Sequence, residues 1–175
     1  MSRPVTRTSD GSVVALVSVT GRADVSALVR ALRQLADAGV TNRVVVATES
    51  EKDIRTLLSD DGSVRVVPDF AVADIDHDAR VVLVCDPPRV LAPAELIRHV
   101  VATVLADDVP VVPVLPCSDT VQRLDTDGFV IDTPDRAGLR VVQTPIGYPA
   151  ALIRSGVLTP GEVPVGARTV DGVPA

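Results

Sequence analysis

Short, almost purely apolar segments recur along this chain, and most of them are followed by a polar cluster. Segments of four to eight such residues are typical of strands buried on both faces of a parallel sheet. The pattern predicts strands at Val13–Val19, Val44–Ala47, Val64–Val67 (as an edge strand), Val81–Cys85 and Val109–Val114.

Helical periodicity fills most of the intervals between these strands. Asp24 is predicted to cap a helix that ends at Gly39, and a second helix is predicted to begin with Pro93 in its first turn. A short helix is expected at 51–58. Strands that alternate with helices predict an α/β fold with a doubly wound, mostly parallel, Rossmann-like sheet.

The segment Arg123–Val142 interrupts this alternation. Asp127-Gly128 is a favourable hairpin turn between two β-like stretches, so we expect a protruding β-arm at about 121–143. Residues 158–175 are rich in Pro, Gly and Val without periodicity, and we expect an irregular tail there. The predicted organisation is one domain over 1–157 followed by this tail.

Composition and charge exclude several classes of protein. A net charge of −6 and 2% aromatic residues argue against a nucleic-acid binder. No apolar stretch approaches the roughly 18 residues of a membrane span, and the first residues lack an apolar signal core, so we expect a cytoplasmic location. Cys85 and Cys117 are expected to be reduced thiols.

Three polar clusters follow predicted strands: Thr20-Gly21-Arg22, Asp86 to Arg89, and Ser118-Asp119-Thr120. Ligands of doubly wound sheets bind beyond the carboxyl ends of the strands. This favours a ligand-facing role for the Asp86 to Arg89 cluster over the alternative of a turn with a solvated ion pair. The alternative for Asp119-Thr120 is a turn that closes its own backbone hydrogen bonds.

The order of four motifs resembles that of the methylerythritol-phosphate cytidylyltransferase family. These motifs are Asp86-x-x-Arg89, Asp119-Thr120 with Arg123 nearby, Asp135-Arg136-Ala137-Gly138-Leu139, and Gln143-Thr144-Pro145. The resemblance implies a nucleotidyltransferase fold and a homodimer formed through the arm. It also implies the reaction of CTP with a polyol phosphate, which needs Mg²⁺, releases pyrophosphate and serves isoprenoid precursor biosynthesis.

The resemblance also implies a role for each matching residue. Asp86 would hold the metal, and Arg22 would face the triphosphate as a catalytic group. The polyol phosphate would be bound by Arg89, Asp119, Thr120, Arg136 and Thr144, with Arg136 reaching across the dimer. The alternative for Arg136 is an exposed arm residue in a surface ion pair. The alternative for Thr144 is a place at the end of a strand that Pro145 terminates.

The nucleotide half of the family pattern is largely missing. The family has a glycine-rich loop followed by Pro-Lys after its first strand, whereas this chain has Thr20-Gly21-Arg22, and Lys52 is its single lysine. Two hypotheses follow: an enzyme with impaired cytidylyl transfer, or a non-catalytic homologue that binds a phosphorylated ligand or a protein partner.

An acidic segment, Asp74 to Asp78, occupies the place of a family helix that carries Arg-x-x-Ser-Val. Such a segment is either a metal site or, more commonly, a solvated acidic loop.

Overall fold

A computed structural model of the chain describes residues 12–19, 25–48, 54, 64–87 and 92–173. In this part of the chain the helices are α1 (Val25–Ala38), α2 (Ala94–Asp107) and α3 (Ala150–Arg154). The strands are β1 (Ser12–Val19), β2 (Arg43–Thr48), β3 (Val64–Val67), β4 (Ala79–Cys85), β5 (Val111–Pro116), β6 (Arg123–Leu124), β7 (Val130–Asp132), β8 (Arg140–Val142), β9 (Ile146–Pro149) and β10 (Arg168–Asp171).

The main sheet has the strand order β10-β5-β9-β4-β1-β2-β3, and β8 also pairs with β5. The pairs β1–β2, β1–β4, β2–β3 and β5–β10 are parallel. Strand β9 lies between β4 and β5 and is antiparallel to both. The structure confirms the predicted mostly parallel α/β fold, and β3 lies at the edge of the described sheet as expected.

Both faces of the sheet are buried, which explains the nearly continuous apolar strands. Successive side chains of a strand point to opposite faces. Val13, Ala15 and Val17 of β1 therefore pack in the cluster that contains the buried residues of α1 and α2. Val14 and Leu16 face the second cluster, which contains Tyr148 of β9 and Ile153 of α3.

Gly147 allows α2 to lie directly against the sheet. A Cβ atom at this position would lie 2.6 Å from a methyl carbon of Val100 and 2.8 Å from one of Val104. A Cβ atom essentially never lies this close to a non-bonded carbon, so the helix approaches β9 only because a side chain is absent.

The end of α1 matches its prediction. Gly39 has a positive φ of 65° and donates to the carbonyls of Leu35 and Ala36, which is how a glycine closes a helix. The Arg98 guanidinium of α2 donates to the Asp37 and Ala38 carbonyls and so adds a second cap. Asp24 and most of the helix predicted at 51–58 lie outside the described residues.

The predicted arm is present as a hairpin of β6 and β7. The Asp125 carboxylate closes its turn by accepting from the N–H groups of Asp127 and Phe129. Residues 118–133 are all exposed. The arm was predicted to extend to 143, but β8 rejoins the main sheet and Gln143 is fully buried.

The prediction of an irregular tail is wrong for Arg168–Asp171, which forms β10 at the edge of the sheet beside β5. Two side chains help to hold β10 and the loop before it in place. The Arg168 guanidinium lies 2.6 Å from the Asp107 carboxylate, and the Tyr148 hydroxyl donates to the Glu162 carbonyl at 2.6 Å. Both partners are distant in sequence, so local periodicity could not reveal the strand. No helix of the described residues has the length and apolar character to cross a membrane.

Candidate functional site

The carboxyl end of β4 brings together two of the predicted site residues, Asp86 and Thr144. Strand β9 runs antiparallel to β4, with Ile146 opposite Val84, so the residues just before β9 lie beside those just after β4. The Thr144 hydroxyl donates to the Asp86 carbonyl at 3.4 Å, and the Thr144 carbonyl accepts from the Ala92 N–H at 2.7 Å. Thr144, which precedes a cis peptide bond to Pro145, is 2% exposed.

The carboxyl end of β5 holds a second group of predicted residues. The Arg136 guanidinium donates to the Ser118 carbonyl at 2.7 Å, across 18 residues of chain. Arg136 lies in a short 3₁₀ turn, Arg136–Gly138, in which the Ala137 N–H donates to the Asp135 carboxylate. The exposed Arg136 is thus fixed by one nitrogen at the base of the arm, beside the predicted Asp119-Thr120.

Asp119 and Thr120 are exposed at the start of the arm. The neighbouring Cys117 donates from its thiol to the Asp119 carbonyl at 3.5 Å. Arg123, expected near Thr120 as a cation for a phosphate, instead lies 3.8 Å from the Asp132 carboxylate across the hairpin. The structure therefore brings Asp119, Thr120 and Arg136 into one region, with Arg123 turned to the arm itself. Arg22 and Arg89 lie outside the described residues.

The acidic segment is structural. Asp74 is 4% exposed, its carboxylate lies 3.0 Å from the Arg65 guanidinium of β3, and it accepts from the Ala71 N–H at 2.8 Å. The Asp76 carboxylate pairs with Arg43 of β2 at 2.5 Å. These two ion pairs fasten the segment to neighbouring strands. In the part of the chain that the structure describes, no three His, Cys, Asp or Glu residues gather where they could hold a metal ion.

Gln143 is a buried polar residue whose structural role the sequence did not reveal. Its side chain is fully enclosed, and its amide both donates to and accepts from the backbone of Val173, at 2.7 and 2.9 Å. The sequence feature that could have revealed this role is the position of Gln143 directly after apolar Val141 and Val142. A polar side chain that continues a buried segment needs a buried hydrogen-bond partner.

Burial also raises the pKa of two titratable groups, Cys85 and Tyr148. Desolvation raises the pKa of the Cys85 thiol from 9.0 to about 12. It also raises the pKa of the Tyr148 phenol from 10.0 to about 12, with a smaller contribution from the Glu162 charge. Cys85 and Cys117 are both free thiols, as predicted. The buried Cys85 is therefore a core residue rather than a nucleophile at neutral pH.

The fold and the arrangement of strand ends are those of an α/β nucleotidyltransferase. The solved structure of 4-diphosphocytidyl-2C-methyl-D-erythritol synthase from Anaerococcus prevotii superposes with a TM-score of 0.73, covering 94% of this chain and 90% of that one at 19% identity. The 2-C-methyl-D-erythritol 4-phosphate cytidylyltransferase of Thermus thermophilus superposes with a TM-score of 0.59, covering 94% and 89% at 22% identity.

Sequence comparison defines the family more closely. Residues 6–172 match the family model of 2-C-methyl-D-erythritol 4-phosphate cytidylyltransferase. The enzyme of that name from Saccharopolyspora erythraea is 37% identical over 90% of this chain and 75% of its own length. The one from Rhodococcus opacus is 41% identical over 73% of this chain and 60% of its own length. The chain belongs to the 2-C-methyl-D-erythritol 4-phosphate cytidylyltransferase family.

Proposed function

We propose that this protein binds a phosphorylated polyol of the methylerythritol phosphate type and that its cytidylyl transfer from CTP is strongly reduced. The observation that carries the proposal is the contact of Thr144 with Asp86 at the carboxyl end of β4. It supports a polar site at the sheet edge where ligands of this fold class bind.

The Thr144 hydroxyl has the properties of a ligand-binding group. Its 3.4 Å contact with the Asp86 carbonyl is far longer than the roughly 2.7–2.8 Å of a good O–H···O bond. A phosphate or hydroxyl oxygen would be a better partner, so a ligand can replace the contact at little cost. Arg136 adds a guanidinium whose fixed fork of donors suits a phosphate. One of its nitrogens is held by Ser118.

The short connection between β1 and α1 favours weak catalysis. Only residues 20–24 lie between the two elements, and they contain one glycine, one arginine and no lysine. A phosphate loop needs successive backbone N–H groups around the triphosphate and cations to offset the charge of the transition state. The single lysine of the sequence, Lys52, follows β2. Losing one such donor typically costs about 100- to 1000-fold in rate.

Mg²⁺ would enter this site with the nucleotide. Magnesium in phosphoryl-transfer sites is commonly held by one or two carboxylates together with substrate phosphates. Asp86, at the end of β4, fits the role of one such carboxylate. When bound, the ion would neutralise phosphate charge; the chain's own groups would orient the polyol phosphate and hold it at the strand ends.

Separate calorimetric titrations with methylerythritol phosphate and with CTP·Mg²⁺ test the proposal. We expect micromolar binding of the polyol phosphate and no measurable heat with CTP. Pyrophosphate release should be at least about 1000-fold slower than for the S. erythraea relative assayed in parallel. Micromolar CTP affinity with rapid pyrophosphate release would show that the nucleotide half functions.

The exposed arm favours a second candidate function, that of a non-catalytic homologue that acts through a protein partner. Four of its apolar side chains are more than half exposed: Leu124, Phe129, Val130 and Ile131. An exposed apolar patch of this kind marks an association surface. We propose a second copy of this chain as the occupant, as in the family dimer.

Light scattering at micromolar protein tests the assembly. We expect the mass of a dimer for the unmodified chain and a monomer for Phe129→Asp. Val165→Asp is the matched control, because Val165 is fully exposed on the loop before β10, away from the arm. A monomeric unmodified chain would remove the cross-subunit role of Arg136. A mixture of this chain with an active family member would then show whether the arm serves a different partner.

A further inference from the structure

Gln143 is held between β5 and the C-terminal segment, one residue before Thr144. Its backbone N–H donates to the Pro113 carbonyl of β5 at 2.9 Å. Its side-chain Nε2 donates to the Val173 carbonyl, and its Oε1 accepts from the Val173 N–H. Because the residue is fully buried, these bonds are shielded from water and define its orientation.

The C-terminal segment is shaped to accept this side chain. Gly172 donates its N–H to the Val114 carbonyl at 2.7 Å. A Cβ atom at Gly172 would overlap Oε1 of Gln143 and lie 2.9 Å from the Val114 carbonyl oxygen. The close approach of Val173 to Gln143 therefore requires glycine at 172.

Thr144 connects this arrangement to the site. Its carbonyl holds the Ala92 N–H just before α2, and its hydroxyl reaches the carbonyl of Asp86. Hydrogen bonds thus link Val173 to Gln143 and Thr144 to the residue after β4, and the Gln143–Thr144 peptide bond joins the two contacts. We infer that Gln143 and the C-terminal segment 168–173 position Thr144 for the phosphorylated ligand. The ligand part of this inference rests on the proposed function.

Tyr148 supplies a matched comparison for a purely structural role. Like Gln143 it is fully buried, and its hydroxyl ties the core to the loop before β10 through the Glu162 carbonyl. It lies within β9 opposite Val82, however, rather than beside the strand end. Its loss should weaken the attachment of the loop before β10 without moving Thr144.

The first experiment measures binding of methylerythritol phosphate by calorimetry. Gln143→Met keeps the volume of the side chain and removes both bonds to Val173, and it should weaken binding about tenfold. Tyr148→Phe should leave the affinity within about twofold, even if both variants lose similar stability. Equal losses of affinity in the two variants, or an unchanged affinity in Gln143→Met, would overturn the inference.

The second experiment needs no ligand and separates this inference from the proposed function. Hydrogen exchange of the Ala92 amide, whose acceptor is the Thr144 carbonyl, should be about tenfold faster in Gln143→Met and unchanged in Tyr148→Phe. Gly172→Ala leaves Gln143 unchanged but disturbs its contact with Val173, so this variant should behave like Gln143→Met. If the unmodified chain binds no polyol phosphate, the proposed function fails while Ala92 exchange still decides whether Gln143 positions Thr144. Unchanged Ala92 exchange in both variants would overturn the positioning role.

Discussion

The side-chain amide of Gln143 pairs with the backbone of Val173, 30 residues further along the chain, through two hydrogen bonds in opposite directions. This pairing resembles one unit of a β-ladder in which a side chain replaces a strand. It adds a pair of bonds between the residue that follows β8 and the segment that follows β10. It also explains why a fully buried glutamine is tolerated in an apolar sheet, since both ends of its amide are satisfied.

Thr144→Val should weaken binding of methylerythritol phosphate about tenfold, because valine keeps the shape of threonine and removes the hydroxyl. Calorimetry gives the affinity directly. Thr103→Val is the matched control, because the Thr103 hydroxyl also donates to a backbone carbonyl, that of His99. Thr103 lies about 13.5 Å along α2 from Ala94, at 1.5 Å per residue. A similar loss of affinity in both variants would speak against a ligand contact at Thr144.

Gly147→Ala should lower the free energy of unfolding by about 1–3 kcal/mol, because the added methyl group would overlap Val100 and Val104 of α2. Urea denaturation monitored by circular dichroism measures the change. Gly138→Ala is the control, since a Cβ atom there meets nothing within 4 Å. Similar urea midpoints for the two variants would mean that α2 can move away from β9 without a loss of stability.

Asp74→Asn should destabilise the fold by about 1–3 kcal/mol, because the buried carboxylate serves both the Arg65 guanidinium and the Ala71 N–H. Asparagine keeps the size of the side chain and removes its charge. Asp78→Asn changes an exposed residue of the same segment and should shift stability by less than about 0.5 kcal/mol. If both changes are neutral by urea denaturation, the ion pair contributes nothing measurable.

Stability should fall as the pH rises from 9 towards 12. The Cys85 thiol and the Tyr148 phenol have folded pKa values of about 12, above their ordinary 9.0 and 10.0. In that interval the unfolded chain releases protons that the folded chain retains, so their stabilisation is complete below pH 9 and lost on the alkaline side.

Urea midpoints measured at half-unit steps of pH check this expectation. Cys85→Ala should flatten the decline that begins near pH 9, and Tyr148→Phe should flatten the part above pH 10. Each variant serves as the control for the other, because the two groups begin to titrate at different pH in the unfolded chain. A flat profile up to pH 12 in the unmodified chain would contradict the raised pKa values.

Much of the parallel sheet could be predicted from local pattern. Segments such as Val81–Val84 are apolar throughout because both faces of β4 are covered, and that leaves a clear signal in the sequence. Asp127-Gly128 marked the hairpin because a tight turn favours these residues. The motifs around Asp86 and Thr144 predicted a candidate site, and these two residues are in contact in the structure.

The sequence by itself determined which segments are buried, where the polar strand ends lie and to which family the motifs point, because burial and turn formation depend on neighbouring residues. Only the tertiary structure decided that β9 inserts between β4 and β5, that Arg168–Asp171 joins the sheet, and that Gln143 reaches Val173. These partners are distant in sequence, and their pairing depends on the edges and carbonyls that the rest of the fold leaves available.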